Sequence, residues 1–258
     1  MLALFFSQHY YILLLFLLFM GFLSGFVDAI AGGGGLISIP ALLYTGLPIT
    51  QVFGTNKFQS SIGTAMAVRN YYKNGLINLN TVWRGLLFGF IGAVIGVITI
   101  NHISNKFMQY IVPFLMLLVF IFNLLNKQLG IHTGKPKMST PLFFALFGFI
   151  LGFYDAFFGP GTGNFWIIAI VYFLGYTYLN ASGYAKVLNL KSNLFSLVGF
   201  LIYGKVQFAF GIAMSIGSFA GGWCGAQQVI LKGSKLVRPV FMVIVFINIV
   251  MSFYQLLN

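Results

Sequence analysis

The sequence predicts an all-α polytopic membrane protein built from two inverted-topology repeats, each a Gly-rich broken or hairpin helix pair plus three transmembrane helices. Three observations lead there: apolar runs of spanning length, a near-absence of charge, and an in-register internal duplication. Hydrophobic residues make up 59% of the 258 residues and charged ones 6%. That composition leaves nothing to coat a soluble domain. Apolar runs recur at 10–27, 107–125, 141–153 and 240–253, and a run near 20 residues crosses the hydrocarbon as a helix. The first run is expected to be a retained helix, because 1–19 contains no Lys or Arg and no small-residue cleavage site follows.

The duplication is legible residue by residue. Gly21-Phe22-Leu23-Ser24-Gly25-Phe26-Val27-Asp28-Ala29-Ile30-Ala31-Gly32-Gly33-Gly34 aligns with the stretch from Gly148 to Gly161, with 8 of 14 positions identical. The offset there is 127 (28 to 155); beyond a two-residue insertion it becomes 129 (57 to 186). Gly46, Gly54, Lys57, Gly75, Gly92, Gly96 and Lys106 then match Gly175, Gly183, Lys186, Gly204, Gly221, Gly225 and Lys235. The chain therefore divides into repeat 1 (1–126), a polar linker (127–140) and repeat 2 (141–258). In repeat 1 the apolar segments fall at 10–31, 36–45, 55–72, 82–100 and 107–125. The second is too short to span, since a helix rises about 1.5 Å per residue against a core of roughly 30 Å. Segments one and two thus form a hairpin or a discontinuous helix with an even number of crossings. Three further spans make the total odd, so the second copy should be inverted.

Charge placement agrees with that threading. Arg69, Lys73, Arg84, Lys127, Lys135, Lys137, Lys232, Lys235 and Arg238 fall on one side, and Lys106 and Lys205 on the other. The positive-inside bias makes the linker cytoplasmic and puts both termini outside. The net charge of +12 is scattered between apolar runs, so it suits anionic lipid and not nucleic acid. One cysteine, Cys224, excludes an intramolecular disulfide. His9, His102 and His132 are dispersed and no phosphate-binding loop motif occurs, so no metal or other cofactor is expected. Glycines four apart, such as Gly21/Gly25 and Gly92/Gly96, are read as packing seams.

The two acidic residues of the chain are duplication mates, Asp28 and Asp155, each just before a glycine-rich break. An ionisable group inside the membrane costs roughly 3 kcal/mol even on gentle scales, which marks a functional position. The competing reading is a capping or lysine-neutralising role. The breaks contain Gly32, Gly33, Gly34 and Gly35 in one copy and Gly159, Gly161, Thr162 and Gly163 around Pro160 in the other. The half-helix after each break would point its positive end, with unpaired N–H groups, toward mid-membrane, where an anion is favoured. Lys57 and Lys186 are the third duplicated element, flanked by Asn56 and Asn189. They could attract an anion, pair with an aspartate, or snorkel to the interface.

The doubled Gly-Phe-x-x-Gly-Phe-x-Asp-Ala-x-x-Gly-x-Gly unit, followed by Asn56-Lys57 and Ala185-Lys186, resembles the TSUP family, the TauE/SafE-like sulfite exporters. The likeness covers essentially the whole chain and is nearest to a bacterial inner-membrane branch. It implies secondary transport of a small anion of the sulfite, sulfoacetate or thiosulfate class, with no enzymatic activity. Gly32–Gly35, Asn56, Lys57, Gly159, Gly161, Thr162, Gly163, Lys186 and Asn189 are the expected substrate contacts. Asp28 and Asp155 are the expected coupling groups, exchanging a proton or a sodium ion. Other expected partners are membrane lipid and further copies of the chain. A passive anion channel is the nearest alternative. An intramembrane aspartyl protease is a weaker one: Tyr154-Asp155 supplies half of its signature, but the Gly-x-Gly-Asp half is missing.

Overall fold

A computed structural model describes residues 2–100, 114, 117, 121, 133–157, 159, 161–233, 239, 242, 243, 246, 247 and 250. Among these, all regular structure is helical. Repeat 1 gives α1 (Leu2–Ala31), α2 (Gly35–Leu43), α3 (Ile49–Lys73) and α4 (Leu79–Ile100). Repeat 2 gives α5 (Thr140–Phe157), α6 (Thr162–Ala169) continued by a π-helical turn (Ile170–Leu174), α7 (Tyr178–Ile202) and α8 (Phe208–Lys232). The fifth apolar run of each copy, 107–125 and 240–253, lies outside the described residues except at single positions, as do linker residues 127–132 and Lys106, Lys235 and Arg238.

Among the described residues, four helices are long and apolar enough to cross a membrane: Tyr10–Ala31, Thr140–Phe157, Tyr178–Ile202 and Phe208–Lys232. Their outer faces carry Leu15, Phe19, Ile202 and Ile216 exposed, as a lipid-facing surface requires. Helix α2 has 9 residues and rises only about 13 Å, well short of the hydrocarbon thickness. Helix α3 is long enough at 25 residues but too polar, because Asn56, Lys57, Gln59, Thr64 and Asn70 are all buried in it. It is an interior helix, sheathed by the apolar ones.

One boundary differs from expectation. Segment three was expected from 55, yet α3 begins at Ile49 directly after Pro48. Proline at a helix start loses no hydrogen bond. Gly54 lies inside the helix because a methyl there would run into the Lys205 carbonyl. It marks a close approach of two backbones, not an interruption.

The repeats are interlaced. Helix α1 of the first copy lies along α8 of the second, where methyls on Gly21, Gly217, Gly221 or Gly225 would strike the carbonyls of Met214, Leu18, Phe22 and Phe26. Helix α4 lies along α5 in the same manner, with Gly92 against the Phe149 carbonyl and a methyl on Gly96 reaching 2.5 Å from that of Phe153. The Gly-xxx-Gly pairs are therefore seams between copies, each joining one copy's first helix to the other's fourth. At the centre α3 and α7 pass in opposite senses: Lys57 reaches Asn193, while Thr64 and Lys186 share one carboxylate.

The end of the linker folds back on the second hairpin. The N–H groups of Gly134 and Lys137 donate to the carbonyls of Gly175 and Phe173, each at 2.8 Å. The Lys137 ammonium sits 3.4 Å above the centre of the Tyr172 ring.

Candidate functional site

Both breaks are glycine-made interruptions that end one helix and start another beside it. At the first, the Gly32 N–H closes the last turn of α1 on the Asp28 carbonyl at 2.8 Å, and its φ of +76° turns the chain out of the helix. The Ser24 and Ser38 hydroxyls donate to the Gly34 carbonyl at 2.9 and 3.1 Å, tying the break down. At the second, Gly159 and Gly161 take φ of +90° and +80°, and the Thr162 hydroxyl donates to the Gly159 carbonyl at 2.6 Å. Residues with a Cβ pay roughly 1–2 kcal/mol in this region, which is why glycine recurs. The two breaks touch: any side chain on Gly32 would run into the Gly163 backbone.

Around this contact the two acidic and two duplicated basic residues pair crosswise between copies. Lys57 of repeat 1 meets Asp155 of repeat 2 at 2.8 Å, and Lys186 of repeat 2 meets Asp28 of repeat 1 at 3.0 Å. Each carboxylate takes a second donor, Thr64 on Asp28 at 3.2 Å and Ser192 on Asp155. The Lys57 ammonium also donates to the amide oxygen of Asn193 at 3.1 Å. Both lysines are fully buried. A lone charge at such depth would be very costly, so each partner is the condition for the other's presence. Because each carboxylate is held by a lysine and not by the other carboxylate, the shared-proton dyad of an aspartyl protease does not form.

A sequence model of the sulfite exporter TauE/SafE matches residues 17–251, which is nearly the whole chain and both breaks. The chain belongs to the TauE/SafE sulfite exporter family. A "Probable membrane transporter protein" of Haemophilus influenzae is 40% identical over 91% of this chain and 92% of its own length. "ORF9" of Sinorhizobium, named in the same words, is 35% identical over 90% of this chain and 89% of its own. "YfcA" of Escherichia coli K12, likewise named, is 35% identical over 92% and 87%. No solved structure matches. As a TauE/SafE protein the chain is a membrane transporter.

The fold of this TauE/SafE chain gathers most of the residues anticipated for the site. Asp28, Asp155, Lys57 and Lys186 meet, as do Gly32 and Gly163, and a methyl on Gly34 would press on the Asp28 side chain. Gly35, Thr162 and Gly163 are the first residues of the short helices and not part of the turns. Asn56 joins a side network, its amide oxygen accepting from Ser38 at 2.5 Å, Gln59 at 3.0 Å and Ser60 at 3.3 Å. The Asn189 backbone carbonyl lies 3.1 Å from the Ser192 hydroxyl, whose proton goes to Asp155. The helix starts are less open than expected. The Leu36 and Ile37 N–H groups bond back to Gly33 and Gly34, and those of Thr162 and Asn164 to Gly159 and Gly161.

Thr64, Ser192 and Asn193 belong to the site, though the sequence offers them only as polar residues beyond each lysine. A signal for two of them existed: Thr64 and Asn193 each follow their own copy's lysine by seven residues, two turns along the same helix face. Lys191 takes another path, donating to the Gly85 carbonyl over the space that Gly89 leaves open.

Proposed function

We propose that this TauE/SafE protein is a secondary transporter of a small sulfur-containing oxyanion or organosulfonate, in which the two crossed Lys–Asp pairs couple anion movement to a cation, most simply a proton. The carrying observation is that both duplicated lysines are fully buried and each is held within 3.0 Å by the other copy's aspartate. An anion reaching a paired ammonium competes with a carboxylate already there. Protonating that carboxylate removes its charge and frees the lysine to take the anion. Cargo and proton therefore arrive together, and neither is comfortable alone in this low-dielectric setting. When the proton leaves, the carboxylate reclaims its lysine and expels the anion. A channel needs no such exchange of partners, which favours the transporter reading.

Alternating access follows from inverted repeats, and the opposed run of α3 and α7 supports that relation. With the basic loops inside, the protein lies in the bacterial inner membrane with its linker cytoplasmic and its termini periplasmic. A cysteine placed at Thr133 in a Cys224→Ser background should resist an impermeant thiol reagent in intact cells and react after lysis; labelling without lysis reverses the orientation.

The substrate is tested by thermal shift of purified protein with sulfite, thiosulfate, sulfoacetate, taurine and carboxylate controls. A ligand bound only to the folded state adds about 2.7 kcal/mol at a hundredfold excess over Kd. A rise with sulfur oxyanions or sulfonates, unaffected by cations of equal size, supports the assignment. Competition by a cation with no response to any anion contradicts it.

A further inference from the structure

The duplication conserves the charges but not the neutral groups around them. Among the described residues, the buried amide and indole N–H donors with no partner are those of Asn164, Trp166 and Asn193, all in repeat 2. In repeat 1 the unpartnered atom among the described residues is an acceptor, Oε1 of Gln59. Asn193 is the informative one. It is only 2% exposed, and its amide orientation is settled by chemistry: the oxygen must face the Lys57 ammonium 3.1 Å away. Its Nδ2 therefore stands beside that ammonium as a second donor with nothing to receive it. A buried donor left unmade is costly, so its retention points to an acceptor that arrives from outside. Gly159 lies close to the same ammonium, since a methyl there would stand 3.4 Å from Nζ.

The duplication mate of Asn193 is Thr64, at the offset of 129 (193 to 64). Thr64 spends its single hydroxyl proton on Asp28 and leaves no spare donor. Asp28 is also the more open carboxylate, its side chain 13% exposed against 3% for Asp155.

We infer that the anion has one seat, in repeat 2, where Asn193 Nδ2 and the Lys57 ammonium donate to two oxygens of the same oxyanion, while the Asp28–Lys186 half binds no anion and serves coupling. This rests on the anion-transport reading and adds the location, the stoichiometry and a specificity-determining residue. Two donors on neighbouring atoms suit a sulfonate or sulfur oxyanion, which presents several acceptors on one centre.

Calorimetric titration of the purified protein with thiosulfate and with sulfoacetate tests it. The wild type should bind one anion per chain. Asn193→Leu removes the donor without adding charge and should weaken binding roughly 10-fold to 100-fold, as expected for a hydrogen bond to a charged group. Asn193→Asp keeps an acceptor toward Lys57, holds the fold, and should abolish binding by placing a carboxylate where the donor stood. Melting of the unliganded Asn193→Asp protein near the wild-type temperature separates a lost ligand contact from a lost fold. Wild-type affinity in Asn193→Asp, or two equivalent anions per chain, overturns the inference while leaving anion transport standing. A wild type that binds neither probe removes both.

Discussion

The two glycine breaks descend from one sequence and now differ in how they are held. The first turns on one positive-φ glycine, Gly32, and its short helix is followed by Gly46, where a methyl would meet nothing within 4 Å. The second turns on two, Gly159 and Gly161, and its short helix ends at Gly175, packed on the Gly134 backbone of the linker. The carboxylate of the first break is partly open, and that of the second is closed off behind Ser192, Lys57 and Asn193. Duplication has therefore preserved the crossed charges and released the surroundings. The charges are bound by mutual need, since losing one member strands the other, whereas neutral neighbours can drift one at a time.

The largest effect should come from unmaking a pair on one side only. Lys57→Met strands Asp155 in an apolar site and should cost about 3–5 kcal/mol, with loss of the folded protein or a much lower melting temperature in detergent. Lys57→Met combined with Asp155→Leu should recover most of that stability. Lys186→Met should cost less than Lys57→Met, because Asp28 keeps some access to solvent. Equal losses from the two lysines would erase the distinction between the halves.

Next in size are the hairpin ends. Gly46→Ala must adopt a φ near +79° but meets no neighbour, so it should cost about 1–2 kcal/mol. Gly175→Ala carries the same backbone penalty and also collides with the Gly134 carbonyl, so its melting temperature should fall further. The gap between the two variants measures how firmly the linker clamps the second hairpin. Smallest is Lys137→Ala, which removes the cation from the Tyr172 face and should cost about 0.5–1 kcal/mol. No change there would place the clamp entirely in the backbone bonds of Gly134 and Lys137.

Much of this was legible from residue pattern, and the limits have physical reasons. Charge scarcity and apolar runs announce a membrane protein directly, and the in-register copies announce a two-part bundle. The helix-breaking role of Gly32, Gly159 and Gly161 could be read because no packing argument explains consecutive glycines. The reason for Gly54, a close approach to the Lys205 carbonyl, could not be read in one dimension. Pairing between copies was hidden, because a lysine beside each aspartate is equally consistent with pairing within a copy. The opposed passage of α3 and α7 decides it, and that is a tertiary fact. The contributions of Ser192 and Asn193 were obscured because Ser and Asn in a polar helix are common, and only contact with Asp155 and Lys57 distinguishes these two.

The central claim is that anion movement is coupled to proton uptake by Asp28 and Asp155. Asp→Asn keeps size and an acceptor toward each lysine while abolishing titration, so variants that still melt cooperatively as folded protein isolate that step. The direct measurement is uptake of labelled thiosulfate or sulfoacetate into proteoliposomes with and without an inward proton gradient, for wild type, Asp28→Asn and Asp155→Asn. The wild type should accumulate anion above equilibrium only with the gradient. The variants should bind anion yet move it no further than equilibration, with no dependence on the gradient. Accumulation by both variants with an unchanged pH profile would contradict the account and leave the aspartates as struts of the broken helices.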